Sequence, residues 1–124
     1  MIESKIFQTL TTTTSITDAV STRIYPLVLP QNSTFPCLSY ARTDNNKLYC
    51  LMGSATLENP HIEINGWALT YTAIKDLSTR IIAAMSSAVG FTCILISDID
   101  AAEVNELNEI FYRVTQNYSC WNRE

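Results

Sequence analysis

The side chains best suited to catalysis are few in this 124-residue sequence. His61 is the single histidine, and a hydrolytic triad needs an imidazole base beside a nucleophile and an orienting acid. Because His61 follows Pro60 at the predicted start of a strand, we interpret it as a surface residue. The sequence therefore predicts no catalytic residues.

Acidic residues and glycines do not form a recognisable ion or phosphate site. Asp98 and Asp100 lie close together, but a calcium loop needs more oxygen ligands and a turn glycine at fixed spacing. The chain has only three glycines, too few and too dispersed for a loop that cradles phosphate. We therefore expect no metal and no cofactor, and we interpret Asp98–Glu103 as a solvated acidic connection.

The cysteines also argue against a metal centre. They lie far apart in the sequence, at Cys37, Cys50, Cys93 and Cys120. Zinc sites usually combine close ligand pairs with histidines. The N-terminus lacks the basic region and apolar run of a signal peptide, which indicates a reducing cytoplasm. We therefore expect four unpaired thiols that pack as small hydrophobic side chains.

The composition is that of an ordinary globular protein, with 47% hydrophobic and 16% charged residues. The length fits one domain spanning residues 1–124. A low charge content favours oligomerisation, because an interface hides apolar surface. The formal net charge of −4 argues against affinity gained by neutralising phosphates, although DNA could still slide past such a surface. No apolar stretch approaches the length needed to span a membrane.

Residues that recur at helical spacing predict two helical regions. The first is an N-terminal helix that frays at Thr11–Thr14, where β-branched residues fit poorly, with a short second piece around Ile16–Val20. The second is a long helix that starts at Thr70 and stops at Gly90. Its core-facing stripe consists of Tyr71, Ile74, Leu77, Ser78, Ile81, Met85 and Ala88.

Alternating side chains predict the strands. The predicted strands are Cys37–Thr43, His61–Ala68, Phe91–Ser97 and Ile110–Cys120. Arg23–Pro30 contains two prolines and can form only an edge or interrupted strand. Phe91–Ser97 is apolar on both faces, which is typical of an interior strand. The predicted class is α+β, a mostly antiparallel sheet with an N-terminal helix and one long central helix packed on one face.

Asp44–Pro60 is predicted to be a long hairpin insertion between two strands. Its apolar residues Leu48–Met52 are consecutive, and successive side chains of a strand face opposite sides, so some must meet water or another chain. An exposed apolar patch often marks a surface for a partner. Alternatively, the segment buries itself as a short extra strand. The candidate interface residues are Lys47, Leu48, Tyr49, Leu51, Met52 and Leu57.

Several short motifs follow one another in a characteristic order. They are Arg23-Ile24-Tyr25-Pro26 after a helix, Pro30-Gln31 and Phe35-Pro36 before a strand, His61–Ala68 leading through Tyr71 into a long helix, and the aromatic strand Ile110–Val114. In their joint order, over nearly the whole length, the chain resembles the tail-completion or tail-terminator family of long-tailed bacteriophages.

The resemblance implies a structural virion protein at the head–tail junction, present in the host cytoplasm during assembly. It implies a homo-oligomeric, hexameric ring between the tail tube protein and the head–tail connector protein, through which DNA passes. It also implies no catalysis and no cofactor, and the lack of a long apolar stretch predicts no membrane partner. Two other classes stay open: a small cytoplasmic ligand-binding or regulatory domain with a pocket at Trp67, and a small enzyme that uses carboxylates such as Glu63 and Asp98.

Overall fold

A computed structural model describes residues 2–21, 23–27, 35–49, 56–88, 90–104 and 108–123. These residues contain three helices and five strands. In chain order the elements are α1 (Ile2–Thr12), α2 (Thr14–Val20), β1 (Ile24–Pro26), β2 (Cys37–Tyr49), β3 (Thr56–Ala68), α3 (Tyr71–Ser86), β4 (Thr92–Val104) and β5 (Ile110–Arg123).

The five strands form one sheet in the order β1-β2-β3-β5-β4. The short edge strand β1 runs parallel to β2, and each other neighbouring pair is antiparallel. Helix α3 packs on β3, β4 and β5, while α1 contacts α3 and β1. The predicted α+β class is therefore confirmed, as is the edge position of the proline-containing strand β1.

Helix α3 forms the centre of the core. Thr70 caps its N-terminus, since the Thr70 Oγ1 atom accepts a hydrogen bond of 3.1 Å from the Ala73 amide. Its buried side chains are Ile74, Leu77, Ser78, Ile81, Ala84 and Met85. Gly66 of β3 allows the helix to approach, because a Cβ atom there would lie 3.1 Å from Leu77 Cδ2. The predicted core stripe is confirmed, although Tyr71 at its start is exposed.

The break between α1 and α2 lies where the sequence predicts it, whereas α3 ends earlier than predicted. Thr13 has an extended backbone and separates α1 from α2, which confirms the predicted break among the threonines. By contrast, α3 ends at Ser86 and not at Gly90. Gly90 adopts a φ of 94° in the turn that leads into β4, where a left-handed conformation favours glycine.

The hairpin β2–β3 is longer than the sequence analysis predicts. Asp44–Pro60 is not simply a connection, because β2 continues to Tyr49 and β3 begins at Thr56, with Tyr49 opposite Thr56. Pro60 has no amide hydrogen, which normally keeps proline out of central strands. The Asn59 side chain compensates by donating a hydrogen bond of 2.8 Å to the Cys120 carbonyl. Residues 50–55 lie outside the described part.

The strands after α3 also differ from the sequence prediction. Phe91–Ser97 is not an interior strand and Asp98–Glu103 is not a connection, because Thr92–Val104 forms one continuous edge strand, β4. The interior strand is β5, which pairs with both β3 and β4. Among the described cysteines, Cys37, Cys93 and Cys120 are free thiols, as expected. Cys50 lies outside the described residues.

Candidate assembly surface

The predicted interface residues lie at the far end of the β2–β3 hairpin. The backbone of Lys47, Leu48 and Tyr49 is in β2, and that of Leu57 is in β3, where Leu48 pairs with Leu57. The side chains at these four positions lie outside the described part of the structure. Leu51 and Met52 lie outside it entirely. The role of this hairpin in docking therefore stays a prediction.

A different apolar surface lies along β4. Three isoleucines of this strand are largely exposed: Ile94 by 61%, Ile96 by 59% and Ile99 by 58%. Ile96 lies at a register shift between Leu95 and Ser97, which breaks the simple alternation of faces. Among the described strands β4 has a neighbour on one side only. An exposed edge strand with apolar side chains is a site for pairing with another chain.

The acidic residues of β4 have partners on both faces of the sheet. Asp98 Oδ2 accepts a hydrogen bond of 3.2 Å from Ser78 Oγ of α3. Asp100 pairs with Lys75 of α3 at 2.5 Å, and Glu103 pairs with Arg113 of β5 at 2.8 Å. These contacts explain why an acidic segment forms a strand. The residues that pair with these acids come from α3 and β5, which the sequence alone does not bring next to them.

A buried chain of hydrogen bonds ties β4 and β5 to α3. Tyr118 Oη donates to Gln116 Oε1 at 2.6 Å, and Gln116 Nε2 donates to Ser78 Oγ at 2.9 Å and to the Ser78 carbonyl at 3.2 Å. Ser78 in turn donates to Asp98. Burial raises the pKa of Tyr118, so the phenol stays protonated and remains a donor. The chain fixes the edge strand against the helix layer.

The other edge of the sheet carries a groove of about 520 Å³. It lies between α1 and the β1–β2 edge, with apolar walls from Phe7, Leu27 and Tyr40. Phe7 and Leu27 are both exposed. One end of the groove is charged, because Arg42 Nε lies 3.2 Å from Glu3 Oε1. The sheet thus presents apolar surface at both of its edges.

The carboxylates and the histidine considered for catalysis are not brought together as one group in the described part of the structure. His61 contacts Asp44 through its Nδ1 atom, but Ser119, its register partner on β5, accepts a hydrogen bond from Asn59. Glu63 and Asp98 lie on opposite faces of the sheet, because their partners on β5 are the consecutive residues Asn117 and Gln116. Within the described ranges, no group of three metal-ligating side chains occurs.

The described helices and cavities test two further possibilities, a membrane-spanning helix and a ligand pocket at Trp67. None of the helices in the described ranges is long and apolar enough to cross a membrane. Besides the groove, two smaller cavities of about 260 and 150 Å³ lie beside α1 and at the start of α3. Trp67 lines none of these three cavities, so they do not support the pocket expected at that residue.

Comparison with known families decides the class of protein. The family model for tail completion protein gp17 matches residues 4–123. The chain belongs to this tail completion family. The resemblance inferred from the short motifs is thereby confirmed, and the gp17-family chain is a structural component of a phage-type virion tail.

Solved structures support the fold of this family member. A chain from the structure titled "Virion of native gene transfer agent (GTA) particle" matches with a TM-score of 0.66 and 14% sequence identity. The match covers 99% of this chain and 95% of the other. At this identity the similarity shows a shared fold. A comparison with curated proteins gives no match.

Sequence reasoning missed the β4 edge for a specific reason. Apolar residues on both faces of Phe91–Ser97 are compatible with an interior strand and equally with an edge strand that another chain covers. The signal that favours an edge is the acid content that follows, because charged residues are a common device for protecting exposed strands. Asp98, Asp100 and Glu103 supply it.

Proposed function

We propose that this gp17-family subunit completes the tail tube and forms the tail side of the head–tail junction as an oligomeric ring. Family membership supports the role in tail completion. The main support for an oligomer is the exposed edge strand β4. It is 13 residues long, has three exposed isoleucines and has one described neighbour. A monomer would leave this edge open to uncontrolled pairing, whereas an assembled ring would cover it.

The ring would lie between the tail tube protein and the head–tail connector protein, with DNA passing through its channel. The helix-free face of the sheet suits a channel wall. Asn65, Thr115 and Asn117 on this face are uncharged and are hydrogen-bonded to one another or to nearby side chains. Of the charged residues there, Glu63 accepts a hydrogen bond from Asn65, and Arg113 is paired with Glu103. Affinity for nucleic acid depends chiefly on cationic contacts to phosphate. Such a wall would let DNA move without holding it. The hexameric stoichiometry and the single domain over residues 1–124 belong to this proposal.

Deleting the coding sequence from a virion-producing strain tests the proposed role. We expect separate filled heads and unjoined tails by electron microscopy, with joining restored when purified subunit is added to the extract. A gold label on the subunit should lie at the head-proximal end of the tail. Normal joined particles after the deletion, or a label at the distal tail tip, would overturn the proposal.

The hairpin tip provides a second test. We expect replacement of Leu48, Leu51 and Met52 by serine to leave folding intact and to block ring formation or joining. Leu69→Ser, at an exposed position before α3, is the matched control and should join normally. Unfolding of the triple variant would instead assign these residues to the core and end the docking hypothesis.

A further inference from the structure

The described sheet has a free edge at each end. On one side, β4 pairs only with β5. On the other side, β1 covers Leu38–Tyr40 of β2, and the final hydrogen bond joins the Leu27 amide to the Tyr40 carbonyl at 2.8 Å. The outer edge of β2 from Ala41 to Tyr49 therefore faces no strand among the described residues. Both edges offer unpaired backbone groups to another chain.

The strand directions make these two edges compatible. Three successive antiparallel pairings connect β2 to β4 through β3 and β5, so β4 runs antiparallel to β2. A second copy placed beside β4, by rotation about an axis roughly along the strands, would present its β2 in the antiparallel direction. This is the pairing that the sheet already uses for its long strands.

The charges favour this contact over a symmetric one. Strand β4 contains three acidic residues and no lysine or arginine, whereas β2 contains Arg42 and Lys47 against Asp44 alone. Full two-fold pairing of β4 with itself would place Asp98, the central residue of Thr92–Val104, opposite the Asp98 of the other copy. Like charges directly opposite each other destabilise a strand pair.

The register across the sheet shows which residues of the two edges lie at the same level. Register across the sheet aligns Arg42 with Leu95, through Ile62 and Tyr118, and Tyr40 with Asp98, through Ile64 and Gln116. In a flush ring, Leu95 of one copy would lie opposite Arg42 of the next, where the uncovered part of β2 begins. Asp98 would lie at the level of Tyr40, where β1 ends.

The same alignment brings an apolar side chain to the groove. Ile96 follows Leu95 in the strand and is largely exposed. It would therefore reach the level of the groove formed by Phe7, Leu27 and Tyr40.

We propose that the free edge of β4 pairs with the outer edge of β2 in a second copy of this chain, with Ile96 against the α1–β1–β2 groove. The contact is heterologous, since each subunit uses a different edge on each side, and such contacts generate closed rings or open filaments. The inference rests on the proposed ring and specifies the surfaces that build it.

Site-specific photocrosslinking tests the contact. A benzophenone amino acid replaces Ile96, and the protein is mixed with a ¹⁵N-labelled copy so that links between copies are separated by mass from links within one copy. The test is carried out on concentrated protein and on assembled particles. We expect capture of peptides from α1, β1 or Ala41–Thr43 of the other copy. The same probe at Thr79, exposed on α3, is the control and should capture none of them.

Two further measurements guard against a misfolded probe variant. A probe at Ile94, which pairs with Ser119 on the helix-free face of the sheet, should capture β2 of the other copy but no peptide from α1. Arg42→Glu in the labelled copy should lower the yield of the Ile96 link several-fold. Capture of β4 by β4, or particles that contain the subunit without the expected link, would overturn the inference. A ring seen by electron microscopy with β4–β4 capture would leave the proposed function standing. If the expected links form but the subunit is dispensable for joining heads to tails, the contact stands and the proposed function fails.

Discussion

The buried chain Tyr118–Gln116–Ser78 yields a quantitative prediction about stability. Tyr118→Phe removes the hydroxyl that donates to Gln116 Oε1 at 2.6 Å and leaves this fully buried oxygen without that donor. An unsatisfied buried polar atom costs about 1–3 kcal/mol of the free energy of unfolding. Gln116→Leu leaves the Tyr118 hydroxyl without its acceptor, so a loss of similar size is expected. Ser78 retains its hydrogen bond to Asp98 in both variants.

The double variant distinguishes this reasoning from a simple loss of packing. When both partners become apolar, no atom of the pair is left unsatisfied. The combined change should therefore be at least about 1 kcal/mol smaller than the sum of the single changes. Urea unfolding followed by circular dichroism measures all three. Tyr112→Phe, at a half-buried tyrosine packed edge-on against Tyr71, is the control and should change stability by less than about 0.5 kcal/mol.

Additivity within about 0.5 kcal/mol, the usual result for independent sites, would refute this account of the chain. A double variant less stable than the sum would refute it as well, because it would mean that the hydroxyl and amide contribute separately through other contacts. A change in the slope of the unfolding curve would indicate an altered denatured state, and the comparison would then use thermal unfolding.

Three other changes test the core, the titration of a buried thiol and the hairpin. Leu77→Ala should cost about 2–5 kcal/mol by emptying a core position, measured by urea unfolding against the exposed control Leu69→Ala; a loss below that of the control would remove Leu77 from the core. Burial raises the pKa of Cys37 to about 12, so the folded state favours the neutral thiol, and stability should fall as pH rises from about 9 towards 12. Cys37→Ala should flatten that decline, and an unchanged pH profile would contradict the assignment. Asn59→Ala should destabilise by about 1–3 kcal/mol because the Cys120 carbonyl loses its donor, whereas an effect near zero would mean that water replaces it.

The predictable parts of the fold are those that depend on local pattern. The α3 stripe around Leu77 repeats at helical spacing, and its burial to 2% exposure follows from that repeat. The break at Thr13 follows from β-branched residues, and the edge position of β1 follows from Pro26. In each case the deciding residues are neighbours in the sequence.

The parts that the sequence did not predict depend on long-range contacts. Asp100 lies in a strand because Lys75, 25 residues away, pairs with it. Pro60 lies in an interior strand because Asn59 reaches Cys120, 61 residues away from it. The groove likewise combines α1 with β1 and β2. Local signals at Asp98–Glu103 and Pro60 favour loops, and contacts that no local window contains reverse them.

The pair Asn59–Pro60 has a consequence for how the long hairpin finds its alignment. A strand displaced by one residue sends every side chain to the opposite face, and a uniform strand of this length offers many such displacements. Pro60 supports only an alignment in which a side-chain amide stands in for its missing hydrogen, and Asn59 is beside it to do so. Any shifted alignment would separate the carbonyl of Cys120 from that amide. The two residues thus fix the register of β3 against β5. A fixed register also discourages exchange of the hairpin between copies as they assemble.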